Sequence, residues 1–276
     1  MDSIDKIVAL ALEEDIGSGD LTTALTIPPG AVGKAEIVAK EPLVIAGLEA
    51  AERVFQWLSE GVVFTSNYRD GDTLAPGDIA ATITGPLAPI LTGERAALNF
   101  LQHLSGVATV ARAAARAVEG TRARVLDTRK TTPGMRVLEK AAVRAGGAHN
   151  HRVGLFDGIL IKENHIAGAG GIAAAVAQSR DGAPHTIRIE VEVTNLREVD
   201  EALGAGADAL LLDNMTLDQV REAVTKIDGR ALVEVSGGVT LANLRAVAET
   251  GVDLISMGAL THSAPAKDLS LLVRSR

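Results

Sequence analysis

The sequence predicts an α/β protein of two unlike parts, the second of which forms a parallel α/β barrel. Three observations support this prediction. After Thr121, six apolar runs of strand length alternate with amphipathic helical segments, as expected for parallel strands joined by right-handed crossovers. Several of these runs carry charged residues on one face only. The preceding part of the chain lacks this rhythm, and Pro and Gly divide it into short segments.

The N-terminal part is predicted to contain two helices and several short strands. The segment MDSIDKIVALALEEDIG is typical of an amphipathic helix, whose apolar face consists of Ile4, Ile7, Val8 and Ala11. Between residues 31 and 85, AEIVAK and DIAATITG are typical of strands and are bounded by Pro- and Gly-rich turns. The insert LEAAERVFQWLSE predicts a helix in which Phe55 and Trp57 anchor the core.

A long Ala-rich helix is predicted next, within TGERAALNFLQHLSGVATVARAAARAVEG. Its apolar stripe has helical spacing and runs from Ala97 to Val118. Arg95 is placed at the start of this helix, and Ser105 and Gly106 are expected to kink it or split it in two. The small residues of the stripe suit close packing against another helix.

Polar residues on the later strands distinguish between the two folds that the alternation permits, an open doubly wound sheet and a closed barrel. The six runs are RVLDTRK, GILIKENH, IRIEVEV, ADALLLDN, ALVEVSGG and DLISMGAL. In IRIEVEV, Arg188, Glu190 and Glu192 share one face, and apolar residues occupy the other. A strand covered by helices on both sides should be apolar on both faces. These charges therefore favour a barrel with a polar interior.

Cationic residues cluster where the predicted strands end. Lys162 in GILIKENH follows an apolar run, and Arg129 and Lys130 follow another in RVLDTRK. In barrels, this C-terminal edge of the strands carries the active site. His151 and Arg152 in GGAHNHR add to the cationic character. Because arginine binds carboxylates bidentately and lysine neutralises the remaining charge, the cluster predicts a substrate with more than one carboxylate or phosphate.

The last two predicted strands end in turns that suit a phosphate group. Ser236, Gly237 and Gly238 follow one strand and precede a helix that we expect Thr240 to cap, and Gly258 follows the next strand. Glycine turns and helix N-termini present backbone N–H groups to anions, and barrels commonly bind phosphate after their final strands.

Carboxylates share the same predicted edge. Glu192 and Asp213 suit ribose hydroxyls or a hydrated Mg²⁺ ion, whereas Glu190 is expected to pair with a cation inside the barrel. Asp15 and Asp20 in EEDIGSGD are interpreted as helix caps.

Histidine residues outside the cationic cluster receive no catalytic role from the sequence. His103 lies on the apolar helix and His185 follows Pro184, so both are interpreted as structural or exposed. For His149, a structural role and a role in the site both stay open.

Composition excludes several classes of protein. The 276 residues carry a formal net charge of −8, and 47% of them are hydrophobic, which indicates a globular protein that binds neither nucleic acid nor a membrane surface. Cysteine is absent, so the chain offers no disulfide or thiolate metal site, as expected in a reducing cytoplasm. The acidic N-terminal segment is unlike a signal peptide, and no apolar run approaches the roughly 18 residues of a membrane helix.

These motifs closely resemble those of the quinolinate phosphoribosyltransferase family, also called the nicotinate-nucleotide pyrophosphorylases. The resemblance covers the whole chain through EEDIGSGDLTT, GERAALNFLQHLSGVAT, LDTRKTTPGMR, GGAHNHRVGLFDGILIKENH, EVEVTN, LLLDNM, SGGVTLANL and SMGALTHS. It implies a pentosyltransferase of NAD biosynthesis, which converts quinolinate and phosphoribosyl pyrophosphate into nicotinate mononucleotide, pyrophosphate and CO₂ with substrate-bound Mg²⁺. It also implies an N-terminal α/β sandwich domain, an incomplete seven-stranded α/β barrel, and a homodimer or larger assembly.

The resemblance further implies domain limits and site residues. The sandwich would span residues 1–110, rejoined by 266–276, and the barrel 111–265. The quinolinate pocket would consist of Thr128, Arg129, Lys130, His151, Arg152 and Lys162, with Arg95 entering from the neighbouring subunit. Glu192 and Asp213 would face the ribose and the metal-bound pyrophosphate, and Lys130 and Lys162 would share the catalytic role with them. The 5′-phosphate would lie against Ser236, Gly237, Gly238, Gly258 and Ala259.

Departures from the family pattern are small. Thr132 stands where a bulkier apolar residue is common, and Val235 where a small residue is common. Neither position carries the chemistry.

Three alternative functions fit parts of the pattern. A Schiff-base aldolase would use Lys162 or Lys130 as its nucleophile, but the neighbouring arginines suit a dicarboxylate better. A regulatory module that binds anions without turnover is expected to lack Glu192 or Asp213, and both are present. A phosphoribosyltransferase-like protein associated with molybdenum transport also resembles the family.

Overall fold

The computed structural model describes residues 2–274. In chain order, the helices are α1 Ser3–Ile16, α2 Leu21–Thr26, α3 Leu48–Leu58, α4 Leu87–Ala117, α5 Arg136–Gly146, α6 Glu163–Ala169, α7 Ile172–Gly182, α8 Leu196–Gly204, α9 Leu217–Ile227, α10 Leu244–Ala248 and α11 Ala259–His262. The strands are β1 Val32–Ala39, β2 Leu43–Val44, β3 Val63–Thr65, β4 Thr73–Leu74, β5 Ile79–Pro86, β6 Arg124–Leu126, β7 Ile159–Ile161, β8 Ile189–Val193, β9 Ala209–Asp213, β10 Leu232–Ser236, β11 Leu254–Ser256 and β12 Leu269–Arg274. Every helix within residues 2–274 is too short or too polar to cross a bilayer.

Two compact units make up the chain. Unit 1 consists of Met1–Arg112, Thr131–Gly147 and Leu260–Arg276, and unit 2 consists of Ala113–Lys130 and Ala148–Ala259. The domain limits expected from the sequence, 1–110 with 266–276 and 111–265, stay a prediction. Positions 1, 275 and 276 of that prediction lie outside the described residues.

Unit 1 is organised around a four-stranded antiparallel sheet in the order β12-β1-β5-β3, beside a two-stranded β2-β4 sheet. On the central strand β1, Ile37 lies opposite Leu271 of β12 and Ala81 of β5, and all three side chains are buried. The predicted N-terminal helix is confirmed as α1, which packs against the unit through the buried residues Val8 and Leu12. These elements form the N-terminal α/β layer that the sequence predicts.

The helix α3 is confirmed, but only one of its two predicted core aromatic residues is buried. Phe55 is fully buried and stacks on Phe64 with ring centroids 6.2 Å apart. Trp57 is 45% exposed, so the prediction that it anchors the core is wrong. Consecutive helical residues are about 100° apart, and a residue two positions after Phe55 therefore projects from the opposite flank.

The long helix α4 is one uninterrupted helix, which corrects two predictions. It begins at Leu87, with Pro89 in the first turn where proline is tolerated, so Arg95 lies more than two turns inside the helix rather than at its start. Ser105 and Gly106 do not split it. A Cβ atom on Gly106 would lie 2.2 Å from the Pro265 carbonyl oxygen, so this glycine permits close packing.

Unit 2 is an incomplete α/β barrel. All six predicted strands are present and form one parallel sheet in the order β6-β11-β10-β9-β8-β7. A parallel bridge between Leu126 and His149 adds a seventh segment beside β6. Among the described residues, no ladder joins this segment to β7, so the barrel stays open there.

The two faces of β8 differ as predicted. Ile189, Val191 and Val193 are fully buried on one face, whereas Glu190 and Glu192 point from the other face to polar partners within the unit. The polar interior that the sequence predicts is therefore present.

Candidate active site

A cavity of about 650 Å³ lies in unit 2, where the strands end. It is lined by eleven of the fourteen site residues predicted from the sequence, namely Thr128, Arg129, Lys130, His151, Arg152, Lys162, Glu192, Asp213, Ser236, Gly237 and Gly238. Leu160, Leu211, Asn214, Glu234 and Ser256 complete the lining. We call this space the rim cavity.

The cationic side of the rim cavity begins directly after β6. Arg129 and Lys130 are exposed, and the Lys130 N–H group donates to the Thr128 hydroxyl at 3.0 Å. The buried Asp127 carboxylate accepts hydrogen bonds from the His151 N–H group at 2.9 Å and from the Asn150 side chain at 2.5 Å. Asp127 thus ties the two cation-bearing loops together, a role that its position between Leu126 and Thr128 does not reveal in the sequence.

Arg152 presents an unused hydrogen-bond donor. Its Nη1 donates to the Gly158 carbonyl oxygen at 3.1 Å. Among the buried side-chain polar atoms of residues 2–274, only Nε of Arg152 lacks a hydrogen-bond partner. Burial, and then the nearby charge of Arg129, lower the pKa of the Arg152 guanidinium from its usual value. A bound carboxylate would satisfy Nε and relieve this repulsion.

Lys162 and Glu192 form an ion pair across the strand ends. The Lys162 Nζ atom contacts Glu192 Oε2, and the Lys162 N–H group donates to His165 Nδ1 at 3.0 Å in the first turn of α6. The sequence did not predict α6, because its short apolar pattern merges with the preceding strand. Lys162 is thus held by a carboxylate in a cavity that also contains Arg129 and Arg152, so the aldolase alternative is not favoured.

The glycine turn after β10 is fixed by Asp213 and Asn214. Ser236 Oγ donates to Asp213 at 2.9 Å, and the Asn214 side chain donates to the same carboxylate at 2.7 Å. Gly237 has φ +89°, and a Cβ atom there would lie 2.2 Å from Asn214 Oδ1. Only glycine fits this turn, so the backbone at Gly237 and Gly238 can approach a ligand closely.

The predicted cap of the helix after this turn is wrong. α10 begins at Leu244 rather than after Thr240. The Asn243 side chain accepts a hydrogen bond from the Thr240 N–H group at 2.8 Å and donates to the Gly238 carbonyl at 3.0 Å. These side-chain hydrogen bonds brace the glycine loop.

A buried cluster of one imidazole and two carboxyl groups lies in the interior of unit 2. His151 Nε2 is 3.2 Å from Glu190 Oε2 and 3.6 Å from Glu234 Oε1, and Ser256 Oγ donates to Glu234. Burial and the nearby charge of Glu190 raise the pKa of Glu234 to about 8. The sequence predicts that Glu190 pairs with a cation inside the barrel, and in the structure its partner is the imidazole of His151.

The ionisation of His151 reflects opposing influences. Burial disfavours the imidazolium, but the hydrogen bond with Glu190 and the charge of Glu234 outweigh it, so the pKa of His151 is raised. Nδ1 accepts the Arg152 N–H hydrogen bond at 2.7 Å, which an imidazolium could not do. The neutral tautomer with hydrogen on Nε2 satisfies both contacts.

Three predicted site residues do not line the rim cavity. Gly258 and Ala259 lie in unit 2, at the end of β11 and the start of α11. Arg95 is an exposed residue of α4 in unit 1. Their roles stay predictions.

Residues interpreted as structural largely keep that status. Asp20 caps α2 by accepting the Thr23 N–H hydrogen bond at 2.9 Å, whereas Asp15 lies inside α1 and caps nothing. His103 contacts the buried Glu139 at 2.8 Å, and His185 is exposed. His149 has an exposed side chain, and its N–H group donates to Val125 at 2.9 Å as part of the parallel bridge.

Oxygen ligands for Mg²⁺ are available at the rim. Glu192 and Asp213 offer the carboxylate oxygens that this ion prefers, but each already has a protein partner. They therefore suit an ion that arrives with the substrate better than a dedicated protein cage. His151, Glu190 and Glu234 offer ligand atoms within 4.8 Å of one another, but these groups already bond to one another and to Ser256, and we assign no metal to them.

Comparison with known proteins agrees along the whole chain. The family model for the quinolinate phosphoribosyl transferase C-terminal domain matches residues 107–272, and that for the N-terminal domain matches residues 20–105. A probable nicotinate-nucleotide pyrophosphorylase [carboxylating] of Bacillus subtilis is 45% identical, with 94% of this chain and 89% of that protein covered. The nicotinate-nucleotide pyrophosphorylase [carboxylating] of Mycobacterium leprae is 42% identical, with 98% and 97% covered.

A solved structure supports the same relationship. The nicotinate-nucleotide pyrophosphorylase of Francisella tularensis superposes with a TM-score of 0.95 at 40% identity, with 99% of this chain and 96% of that chain covered. Sequence, fold and the residues gathered at the rim cavity therefore lead to one assignment. The chain belongs to the quinolinate phosphoribosyltransferase family.

Proposed function

We propose that this chain transfers the phosphoribosyl group of phosphoribosyl pyrophosphate to quinolinate and decarboxylates it, producing nicotinate mononucleotide, pyrophosphate and CO₂ for NAD biosynthesis. One observation carries the proposal. A single cavity combines four cationic side chains, three carboxyl groups and a glycine turn. A dicarboxylate and a phosphorylated sugar together require this combination.

The cations provide the binding site for quinolinate. Arg129 and Arg152 bind its carboxylates, with the orphaned Nε of Arg152 as one donor, and Lys130 and Lys162 neutralise the remaining charge. Nicotinate lacks the second carboxylate and would leave part of this cluster uncompensated. The site therefore selects quinolinate.

The other side of the rim cavity receives the phosphoribosyl group. Glu192 and Asp213 face the ribose, and the turn at Ser236, Gly237 and Gly238 binds the 5′-phosphate through backbone N–H groups. Mg²⁺ bound to the pyrophosphate supplies charge neutralisation to the leaving group. No side chain is assigned as its direct ligand.

Charge stabilisation explains the chemistry of transfer. The bond between C1 of the ribose and pyrophosphate breaks as N1 of quinolinate approaches, and Glu192 stabilises the positive charge that develops on the ribose. Lys130 and Lys162 balance the negative charge of the leaving group. The protein acts mainly by orienting two anions and cancelling their repulsion.

Decarboxylation follows from the product of that step. Once N1 carries the ribose, the pyridinium ring is cationic. The bond from C2 to its carboxylate then breaks, CO₂ leaves, and the electron pair on C2 takes one proton. The adjacent N1 cation stabilises this pair, so no strong base is required.

A homodimer with shared sites is part of the proposal. Arg95 is exposed on α4, and the family resemblance implies that it reaches the quinolinate pocket of the neighbouring subunit. Each site would then contain residues of two chains. The cytoplasmic location predicted from the cysteine-free composition belongs to the same proposal.

The decisive assay combines purified protein, quinolinate, phosphoribosyl pyrophosphate and Mg²⁺. We expect CO₂ and nicotinate mononucleotide to form in equal amounts, together with pyrophosphate. Protein with Lys162→Ala provides the control for contaminating enzyme. Absence of both products with the unaltered protein would refute the proposed function.

A further inference from the structure

The buried cluster of His151, Glu190 and Glu234 separates two cavities of unit 2. The rim cavity lies where the strands end, and a second cavity of about 570 Å³ is lined by residues such as Ile159 and Ala209 at the starts of β7 and β9. His151 and Glu234 line both spaces. The cluster therefore forms the floor beneath the cations of the rim cavity.

Each member of the cluster is held by another. Glu190 and Glu234 both approach the Nε2 side of the His151 ring, at 3.2 Å and 3.6 Å, and the Arg152 N–H group occupies Nδ1 at 2.7 Å. Ser256 donates to Glu234 from the neighbouring strand β11. The orientation of the imidazole is thus determined from both of its nitrogens.

Groups from every neighbouring element define the charge at Glu234. Glu190 on β8 and His151 face it directly, Ser256 on β11 donates to it, and Leu211 on β9 is apolar. Its own strand adds no further charge, because Val233 and Val235 are apolar. Two carboxyl groups thus share one imidazole, and Glu234 is almost completely buried.

We propose that Glu234 is a positioning residue, which together with Glu190 fixes the imidazole of His151 beneath the cations and so sets how tightly the rim cavity binds the carboxylates of quinolinate. This inference rests on the proposed function. It adds a residue that contacts the cationic side of the rim cavity only through His151. The role follows from the geometry of the floor.

The protonation of Glu234 makes the proposal measurable. Its pKa is raised to about 8, so the carboxyl group is neutral below that pH and ionised above it. Each proton lost from the cluster makes the floor one charge more negative, which weakens the attraction of the cavity for a dianion. Quinolinate affinity is therefore expected to fall as the pH rises through about 8.

Glu234→Gln and Glu234→Leu separate this role from a merely structural one. Glutamine keeps the shape and hydrogen bonds of the neutral acid, so at pH 7 we expect binding within about threefold of the unaltered protein, and the loss of affinity near pH 8 should disappear. Leucine cannot hold His151, and the dissociation constant of quinolinate should rise about tenfold or more, whereas the KM for phosphoribosyl pyrophosphate should stay unchanged.

Calorimetric titration with quinolinate between pH 6.5 and 9 provides the test, and thermal unfolding reports on the fold of each variant. A transition near pH 8 that persists unchanged in Glu234→Gln overturns the inference even if Glu234→Leu does not fold. The same pH dependence in the KM for phosphoribosyl pyrophosphate also overturns it. In either case, the proposed function stands if the unaltered protein turns over quinolinate. If the unaltered protein does not bind quinolinate, both the inference about Glu234 and the proposed function fail.

Discussion

Replacement of Arg152 by alanine tests the cationic pocket most directly. Nε of Arg152 is buried without a protein partner among the described residues. A substrate carboxylate would convert this donor into a charge-assisted hydrogen bond, which contributes about 1.5–3 kcal/mol. Since 1.4 kcal/mol corresponds to tenfold, Arg152→Ala should weaken quinolinate binding by about 10- to 150-fold.

The same reasoning predicts how stability responds. Because the substitution also removes the unsatisfied donor, the ligand-free variant should unfold within a few degrees of the unaltered protein. Quinolinate at 100 times its dissociation constant should stabilise the unaltered protein by about 2.7 kcal/mol, but the variant by about 1.4 kcal/mol or less if affinity falls tenfold or more. Thermal unfolding with and without quinolinate measures both effects.

Steady-state kinetics with varied quinolinate at saturating phosphoribosyl pyrophosphate and Mg²⁺ complete the test. Arg152→Lys keeps the positive charge but loses the bidentate geometry of the guanidinium group. Its KM for quinolinate should therefore lie between those of the unaltered protein and Arg152→Ala. Arg221→Ala is the matched control, since Arg221 is a half-exposed residue of α9 paired with Asp218. The reasoning fails if Arg152→Ala leaves the quinolinate KM unchanged, or if Arg221→Ala raises it equally.

Four further predictions follow from the site and the packing. The kcat/KM for nicotinate should lie on the order of 10⁴-fold below that for quinolinate, and comparable values would contradict the dicarboxylate site. Glu192→Gln should lower kcat by about 10²- to 10³-fold with little change in either KM, and an unchanged rate at saturation would remove its catalytic role. Arg95→Ala and Lys162→Ala should each be nearly inactive. Subunit exchange between equal amounts of the two variants should restore about a quarter of the activity of the unaltered protein. Confirmed exchange without recovered activity would exclude a shared site. Gly106→Ala should lower the free energy of unfolding by up to about 2 kcal/mol, because overpacking outweighs the gain in helix propensity, whereas Gly168→Ala, with open space around its Cβ position, should not destabilise in the same denaturant titration.

Much of the barrel and its cationic edge could be predicted because both depend on local sequence. Alternating strands and helices determine the parallel sheet, and a charge that directly follows an apolar run, such as Lys162, must emerge at the strand end. Glu192 was recognised because its strand alternates over several residues. The prediction of these positions required no knowledge of distant contacts.

The residues that were missed depend on tertiary contacts. Glu234 points inward from β10, as Glu190 does from β8, but VEVS is too short for its alternation to stand out. The role of Gly106 is set by Pro265, which is far away in sequence. Trp57 shows the converse error, because a hydrophobic residue of an amphipathic helix is buried only if it lies on the face toward the core.

The pairing of early strands with late ones has a consequence for how the protein folds. β1 pairs with β12, where Lys34 lies opposite Arg274, and β6 pairs with β11. Each sheet therefore depends on strands that leave the ribosome long after their partners, and contacts so distant in sequence form slowly. Until β12 arrives, the edge of β1 is free to pair with other extended chains. Nascent molecules should therefore depend on chaperones more than mature ones, although both have the same sequence.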